Sequence, residues 1–383
     1  MIAAVLSPRA VSAPASRRWF RTVAKAPTLV FLCTLGLAAS AAVAQPTPLP
    51  PLSERAVASG AVTSVEQGIE FVTIGAPGNA GYAGGQFGNN AGAGAVSEAF
   101  RIARTQVTNA QIVEFANAYL PHILARGDNP REQLGILGST FIGYDQQQQR
   151  YVTTPQAALF PAMVSWRIAA RYCNWLCNDR RTDLAAFETG AYDTSTFGNG
   201  PNGTFTDQLT HNTSARFFLP TRDQWVKAAF YDPNRNGPGV GGYWQYPHSS
   251  ETAPIYGFPW EGGESIVGRE DIPLFSWVQP VASYVNTQSP WGLFDLTGSA
   301  RDWNEDPTPD LTGRLLSGTG YRDAVPDLSD SLYYGFALSG RVAWPLDGIV
   351  YGFRVAAIVP TPSTGLAMLL VTALFRQRRR KEL

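Results

Sequence analysis

Glycine and proline set the limits on what this chain can fold into. With 37 glycines and 28 prolines among 383 residues, few stretches can run far as helix or as central strand. Such punctuation favours short elements joined by many ordered loops over a helical bundle. The chain is also 44% hydrophobic, with ten tryptophans and only 16% charged residues, which is too rich in core formers for a disordered polymer. No internal repeat and no second linker divides the body, so one large domain is expected.

The balanced charge hides three unlike pieces. Residues 1–44 hold five basic residues and no acidic one, and residues 359–383 hold five basic and one acidic. Of the chain's 30 basic and 30 acidic residues, that leaves 20 and 29 on residues 45–358, a net of −9. A body of that sign repels phosphate backbones, so nucleic acid is excluded as a partner.

The two ends read as addresses rather than fold. A basic stretch to Lys25, an apolar run over 26–43 and small residues at Ala42 and Ala44 make residues 1–44 a secretory signal peptide cleaved before Gln45. An uncleaved anchor is the other reading of the same run. At the far end, Val359-Pro360-Thr361-Pro362 leads into an apolar segment, 365–375, and then into Arg376, Arg378, Arg379, Arg380 and Lys381. A helix of about eleven residues reaches ~16 Å, half of a ~30 Å hydrocarbon core. The order of residues 359–383 resembles the PEP-CTERM sorting tails of exported bacterial proteins, with Thr361 where those tails carry Glu. The resemblance implies membrane-associated sorting machinery as a partner. Taken without it, the segment is a short membrane-retention helix with positive-inside flanks. Both readings put the body outside the cytoplasm, at the cell surface or beyond, free or tethered through the tail.

Between the ends, residues 45–67 read as a Pro/Ala-rich linker and 68–358 as the domain. Ile69-Glu70-Phe71-Val72-Thr73-Ile74 suits a strand, and the Gly/Asn/Ala-rich stretch to Gly94 suits loop. Its glycine spacings are not followed by Lys-Ser/Thr, so no phosphate loop is read there. Thr108 with Gln111 and Thr221 with Gln224 form capping boxes ahead of helical periodicity, and Ser165 caps a third helix. That helix carries Trp166, Ala169, Ala170, Cys173, Leu176 and Cys177 on one face. After about residue 232 come loops and short strands, ending in Tyr351-Gly352-Phe353-Arg354-Val355-Ala356. Helices early and short strands late predict an irregular, loop-rich α+β domain.

Candidate chemistry is sparse. Cys173 and Cys177, one helical turn apart, are expected to pack in the core, with a metal or redox role as the alternatives. His122, His211 and His248 show no HxH or HxxxH spacing, and no GxSxG elbow marks a hydrolase. The acidic run Asp302, Glu305, Asp306 and Asp310 reads either as a calcium loop or as a solvated acidic loop.

Several segments together resemble the formylglycine-generating enzymes, or sulfatase-modifying factors. Arg104-Thr105-Gln106-Val107-Thr108-Asn109 is similar to their "VTNxxY" helix start. Pro161-Ala162-Met163-Val164-Ser165-Trp166 resembles "PVxxVSW", with the Pro one residue closer to the Val, and Leu219-Pro220-Thr221-Arg222-Asp223-Gln224-Trp225 resembles "LPTEAEW". Trp291-Gly292-Leu293-Phe294-Asp295-Leu296-Thr297-Gly298 with Trp303 is similar to "GLYDMxGNVWEW", and Gly352-Phe353-Arg354 to the closing "GFR". The resemblance covers about 70–356 and implies a variant of the C-type-lectin-like fold.

It also implies where the chain departs. The family's enzymes oxidise a substrate cysteine using copper held by two thiolates near the closing motif. Here no cysteine lies between 314 and 354, and soft thiolate is what holds Cu(I). Copper is therefore not expected and no catalytic residue is assigned. Ser299 and Asp302 stand where the family's Asn and Glu help to ligate calcium, which makes them the metal candidates. The expected function is a non-catalytic surface-binding or extracellular-matrix module for a protein or carbohydrate ligand. The alternative is a formylglycine-type oxidase, or another superfamily enzyme, with a variant site. Tyr243, Trp244, Tyr246, Trp260 and Trp277 are loop aromatics able either to stack on sugars or to build a core. Trp244, Trp260 and Arg341 are the ligand-binding candidates, Arg341 because it lies in the family's substrate-cleft segment.

Overall fold

The computed structural model describes residues 61–84, 91–130, 141–267, 277–320 and 351–360. The signal-peptide, sorting-tail and Arg341 readings all lie outside these residues. So does the linker reading up to residue 60.

Three side chains start the principal helices, each by accepting an N–H that the helix's first turn leaves unpaired. Thr108 opens α1 (Asn109–Ala125) with Gln111 answering back to its own N–H, as the capping box requires. Ser165 accepts from Ile168 N and opens α2 (Trp166–Cys177). A one-turn helix, α3 (Ala185–Glu188), follows. Thr221 and Gln224 form the second capping box at α4 (Arg222–Phe230).

The strands are short, as the glycine and proline content requires. They are β1 (Thr63–Glu66), β2 (Ile69–Ile74), β3 (Phe100–Ala103), β4 (Ile142–Asp145), β5 (Arg150–Thr153), β6 (Phe217–Phe218), β7 (Tyr231–Asp232), β8 (Gly242–Tyr243), β9 (Thr297–Ser299), β10 (Arg301–Pro307), β11 (Arg314–Ser317), β12 (Thr319–Gly320), β13 (Tyr351–Gly352) and β14 (Ala356–Ile358). The main sheet is antiparallel in the order β1-β2-β3-β14-β6, so one of the last strands lies between early ones, with Ile358 opposite Phe100. A second sheet, β11-β10-β13, pairs β10 antiparallel with β11 and parallel with β13.

The alternation of a strand explains how the main sheet fills two cores. Ile69 and Phe71 of β2 join the cluster of α1 and α2, where Phe115 meets Tyr172, Trp175 and Phe187 edge-on. Val72 and Ile74 point to the opposite side and join Trp225, Ala228 and Ala229 of α4. Burying both faces favours apolar residues on both sides of a strand, and Ile69, Phe71, Val72 and Ile74 of β2 are the buried ones.

One boundary differs from expectation. Residues 63–66 of the expected linker are β1, held by four-residue register against β2. The closing segment forms two strands, β13 and β14. Between them Phe353, Arg354 and Val355 leave the sheet pairing, and Arg354 is fully buried.

Candidate functional site

β10 places the first acids of the acidic run, Asp302 and Glu305, on a buried strand, while Asp306 is half-buried and Asp310 lies beyond the strand in an exposed turn. Asp302 and Glu305 are 1% and 2% exposed. Such charges persist in a core only when paired and hydrogen-bonded. Asp302 Oδ1 accepts from Gln106 Nε2 at 2.8 Å. Its Oδ2 accepts from Trp225 Nε1 at 2.8 Å and from Arg354 Nε at 2.7 Å. Arg354 then donates to the carbonyl of Arg104 at 3.0 Å, to that of Asp295 at 2.9 Å and to that of Phe294. Arg104 in turn bonds Glu70 at 3.2 Å and lies over the Phe294 ring. Five segments remote in sequence are thus tied by two guanidinium groups.

Three residues on, Glu305 Oε1 accepts from Tyr192 OH at 2.9 Å and from the backbone N–H of His211 at 2.6 Å. His211 Nδ1 lies 2.8 Å from the same oxygen. Because a carboxylate only accepts, the ring proton sits on Nδ1. The imidazole is stacked on Phe218, ring centres 3.8 Å apart. Arg314 is sandwiched between Trp166 and Phe205 and donates to the carbonyls of Leu209, Gln208 and Glu305. Burial draws its pKa down to about 10, and raises that of Asp306 above the usual carboxylate range.

This donor set decides which metals the residues suit. Both Asp302 oxygens accept N–H donors, one from a guanidinium, an environment that opposes a further cation there. Ser299 ends β9, and its side chain lies outside the described residues. Among the described residues no group of three or more His, Cys, Asp or Glu could hold a metal ion. Copper needs thiolate, and the thiols present do not fit it. Cys173 is fully buried among the aromatics of α2, and burial pushes its thiol well up. Cys177 Sγ faces Phe217, donating to its carbonyl at 3.2 Å and accepting from its N–H at 3.4 Å, and burial raises it too. Both therefore stay protonated near neutral pH, in line with core packing.

The loop aromatics separate into two groups. Trp277 and Tyr246 are 1% and 7% exposed and belong to cores. Trp244 is half-buried, with its Nε1–H on Asp232 at 3.2 Å and one face under Arg235. Tyr243 packs at the edge of the α4 core and bonds Asn79. Trp260 alone of the five is exposed, at 63%. The sequence candidates Trp244, Trp260, Asp302 and Ser299 therefore share no constellation among the described residues. What sequence reading missed is the role of Glu305, His211 and Arg314, whose partners lie far along the chain and leave no local signal.

Residues 63–357 match the family described as the Sulfatase-modifying factor enzyme 1-like domain. Among solved structures, Treponema denticola variable protein 1 is similar at 18% identity, with 78% of this chain and 99% of that one covered and a TM-score of 0.43. PvdO from Pseudomonas aeruginosa is similar at 16% identity, with 76% and 95% covered and a TM-score of 0.38. No curated protein sequence matches.

Proposed function

This chain belongs to the sulfatase-modifying factor enzyme 1-like domain family, and from that premise we propose that it is a non-catalytic member acting as a surface-binding or matrix module outside the cytoplasm. One observation carries the reading: no cysteine lies between 314 and 354, and the two cysteines of the body are committed to packing α2. A copper oxidase of the family's kind requires a pair of thiolates, and a hydroxyl or carboxylate is too hard a donor to replace them. The charge-rich centre on β10 supports the same reading, because its carboxylates and guanidinium groups are paired with one another and with backbone.

Export rests on the order of residues at the two ends: basic, apolar and small before Gln45, and Pro-x-Pro, apolar and arginine-rich after Val359. The reading is tested by incubating the full-length chain with copper and a peptide containing Cys-x-Pro-x-Arg, then measuring peptide mass. An unchanged peptide is expected. Conversion of its cysteine to an aldehyde would overturn the proposal.

A further inference from the structure

We propose that the loop 255–265 is a glycan-binding platform whose contact surface is the outer face of Trp260, and that its ligand is a neutral pyranose. The proposal rests on the non-catalytic reading above and names a ligand class for it.

The loop is built to hold one shape. Its ends meet where Ser265 N donates to the carbonyl of Ile255 at 3.1 Å and Gly257 N to that of Ser265 at 2.9 Å. Two carboxylates brace it from within: Glu264 accepts from Ile255 N at 2.9 Å, and Glu261 from Phe258 N at 3.0 Å. A Cβ at Gly263 would overlap the Gly257 carbonyl, so the crossing of the two strands of the loop demands glycine there. Tyr284 OH donates to that same carbonyl at 3.1 Å and pins the loop to the core of Ile266, Trp277 and Tyr284. Pro259 presets the turn Pro259–Glu261 that carries the tryptophan.

This rigid support presents an apolar surface to solvent. Trp260 lies flat on Phe258, ring centres 4.4 Å apart and planes 9° from parallel, and is nevertheless 63% exposed. Phe258 itself packs against the underlying core. A rigid aromatic plane loses little entropy on binding, which is the property that makes such residues dominate recognition surfaces. Trp244 differs, since it is half-buried, with Arg235 over its ring and its Nε1–H on Asp232.

The surroundings select the ligand. From 252 to 267 the sequence holds no lysine or arginine, so the loop itself offers a polyanion no cation to pair with. The exposed contact is one flat aromatic plane, which suits the apolar C–H face of one sugar ring better than the spaced side chains of an extended peptide.

The test uses the full-length chain, titrated by calorimetry with cellohexaose, chitohexaose, an alginate oligosaccharide and a proline-rich peptide. Saturable binding of a neutral oligosaccharide is expected, weakened about tenfold or more in Trp260→Ala, partly kept in Trp260→Phe, and unchanged in the surface control Leu159→Ala. Neutral-sugar binding that survives Trp260→Ala would overturn the platform while leaving a binding module intact. Absence of neutral-sugar binding, equal affinity for alginate, or Trp260-dependent binding of the peptide alone would each overturn the glycan assignment. None of these outcomes produces an aldehyde, so failure here is distinct from failure of the non-catalytic reading.

Discussion

The carboxylates of β10 and those of the loop 255–265 perform the same act in opposite surroundings. Each accepts N–H groups from chain segments that would otherwise drift apart. On β10 the acceptors Asp302 and Glu305 are buried, and their partners are guanidinium, indole, phenol and imidazole. In the loop the acceptors Glu261 and Glu264 each take a backbone N–H from a few residues away. A buried charge is costly to strand, whereas a partly solvated one can turn to water. The comparison teaches that the first set makes the topology and the second shapes a surface.

The largest test of that contrast is Asp302→Ala. Removing one member of a buried pair leaves Arg354 uncompensated, and a loss of about 3–5 kcal/mol is expected in denaturant unfolding. A loss under about 1 kcal/mol would show that the centre is not what ties the segments together.

Lys227 gives a second, pH-dependent test. It is fully buried on α4, donates to the carbonyl of Ala76 at 2.9 Å, and burial draws its pKa down to about 8. Between that value and the unfolded lysine's ~10.4 the unfolded chain holds a proton that the folded chain has released, so this group's contribution to stability rises with pH. Raised thiols at Cys173 and Cys177 act in the opposite sense at alkaline pH. The difference between the wild type and Lys227→Met isolates the lysine: Lys227→Met should be the more stable below pH 8, with its advantage shrinking toward pH 10. A constant difference would refute the assignment.

A smaller effect is expected at the helix caps. Thr221→Ala should cost about 1 kcal/mol in thermal unfolding, with Gln224 N losing its acceptor. Smallest is Trp260→Ala, expected within about 0.5 kcal/mol of wild type, because an exposed ring supports little of the fold. A marked loss of stability there would make Trp260 a structural residue and blur the line drawn between the two regions.

How much could be read in advance followed sequence distance. Thr108, Ser165 and Thr221 announced their helices because a cap acts within three residues. The strand Ile69–Ile74 and the core positions of α2 were equally legible from local period. The acidic run was not, because its meaning depends on partners such as Trp225, His211 and Arg354, which lie 77, 94 and 52 residues from the carboxylates they meet. Nor did spacing separate Trp260 from Trp277. Both sit in loop-like sequence, and only packing buries one and exposes the other.

The sequence alone determined the α+β class, the helix starts, the family and the lack of thiolates near the closing motif, since each is a matter of local pattern or residue identity. Tertiary structure decided that the acids of β10 are internal ties, that the two thiols are packing groups, and that one tryptophan among several faces outward. Those outcomes depend on which distant segments meet, because burial and pairing, rather than residue type, set whether a charge or a ring is structure or surface.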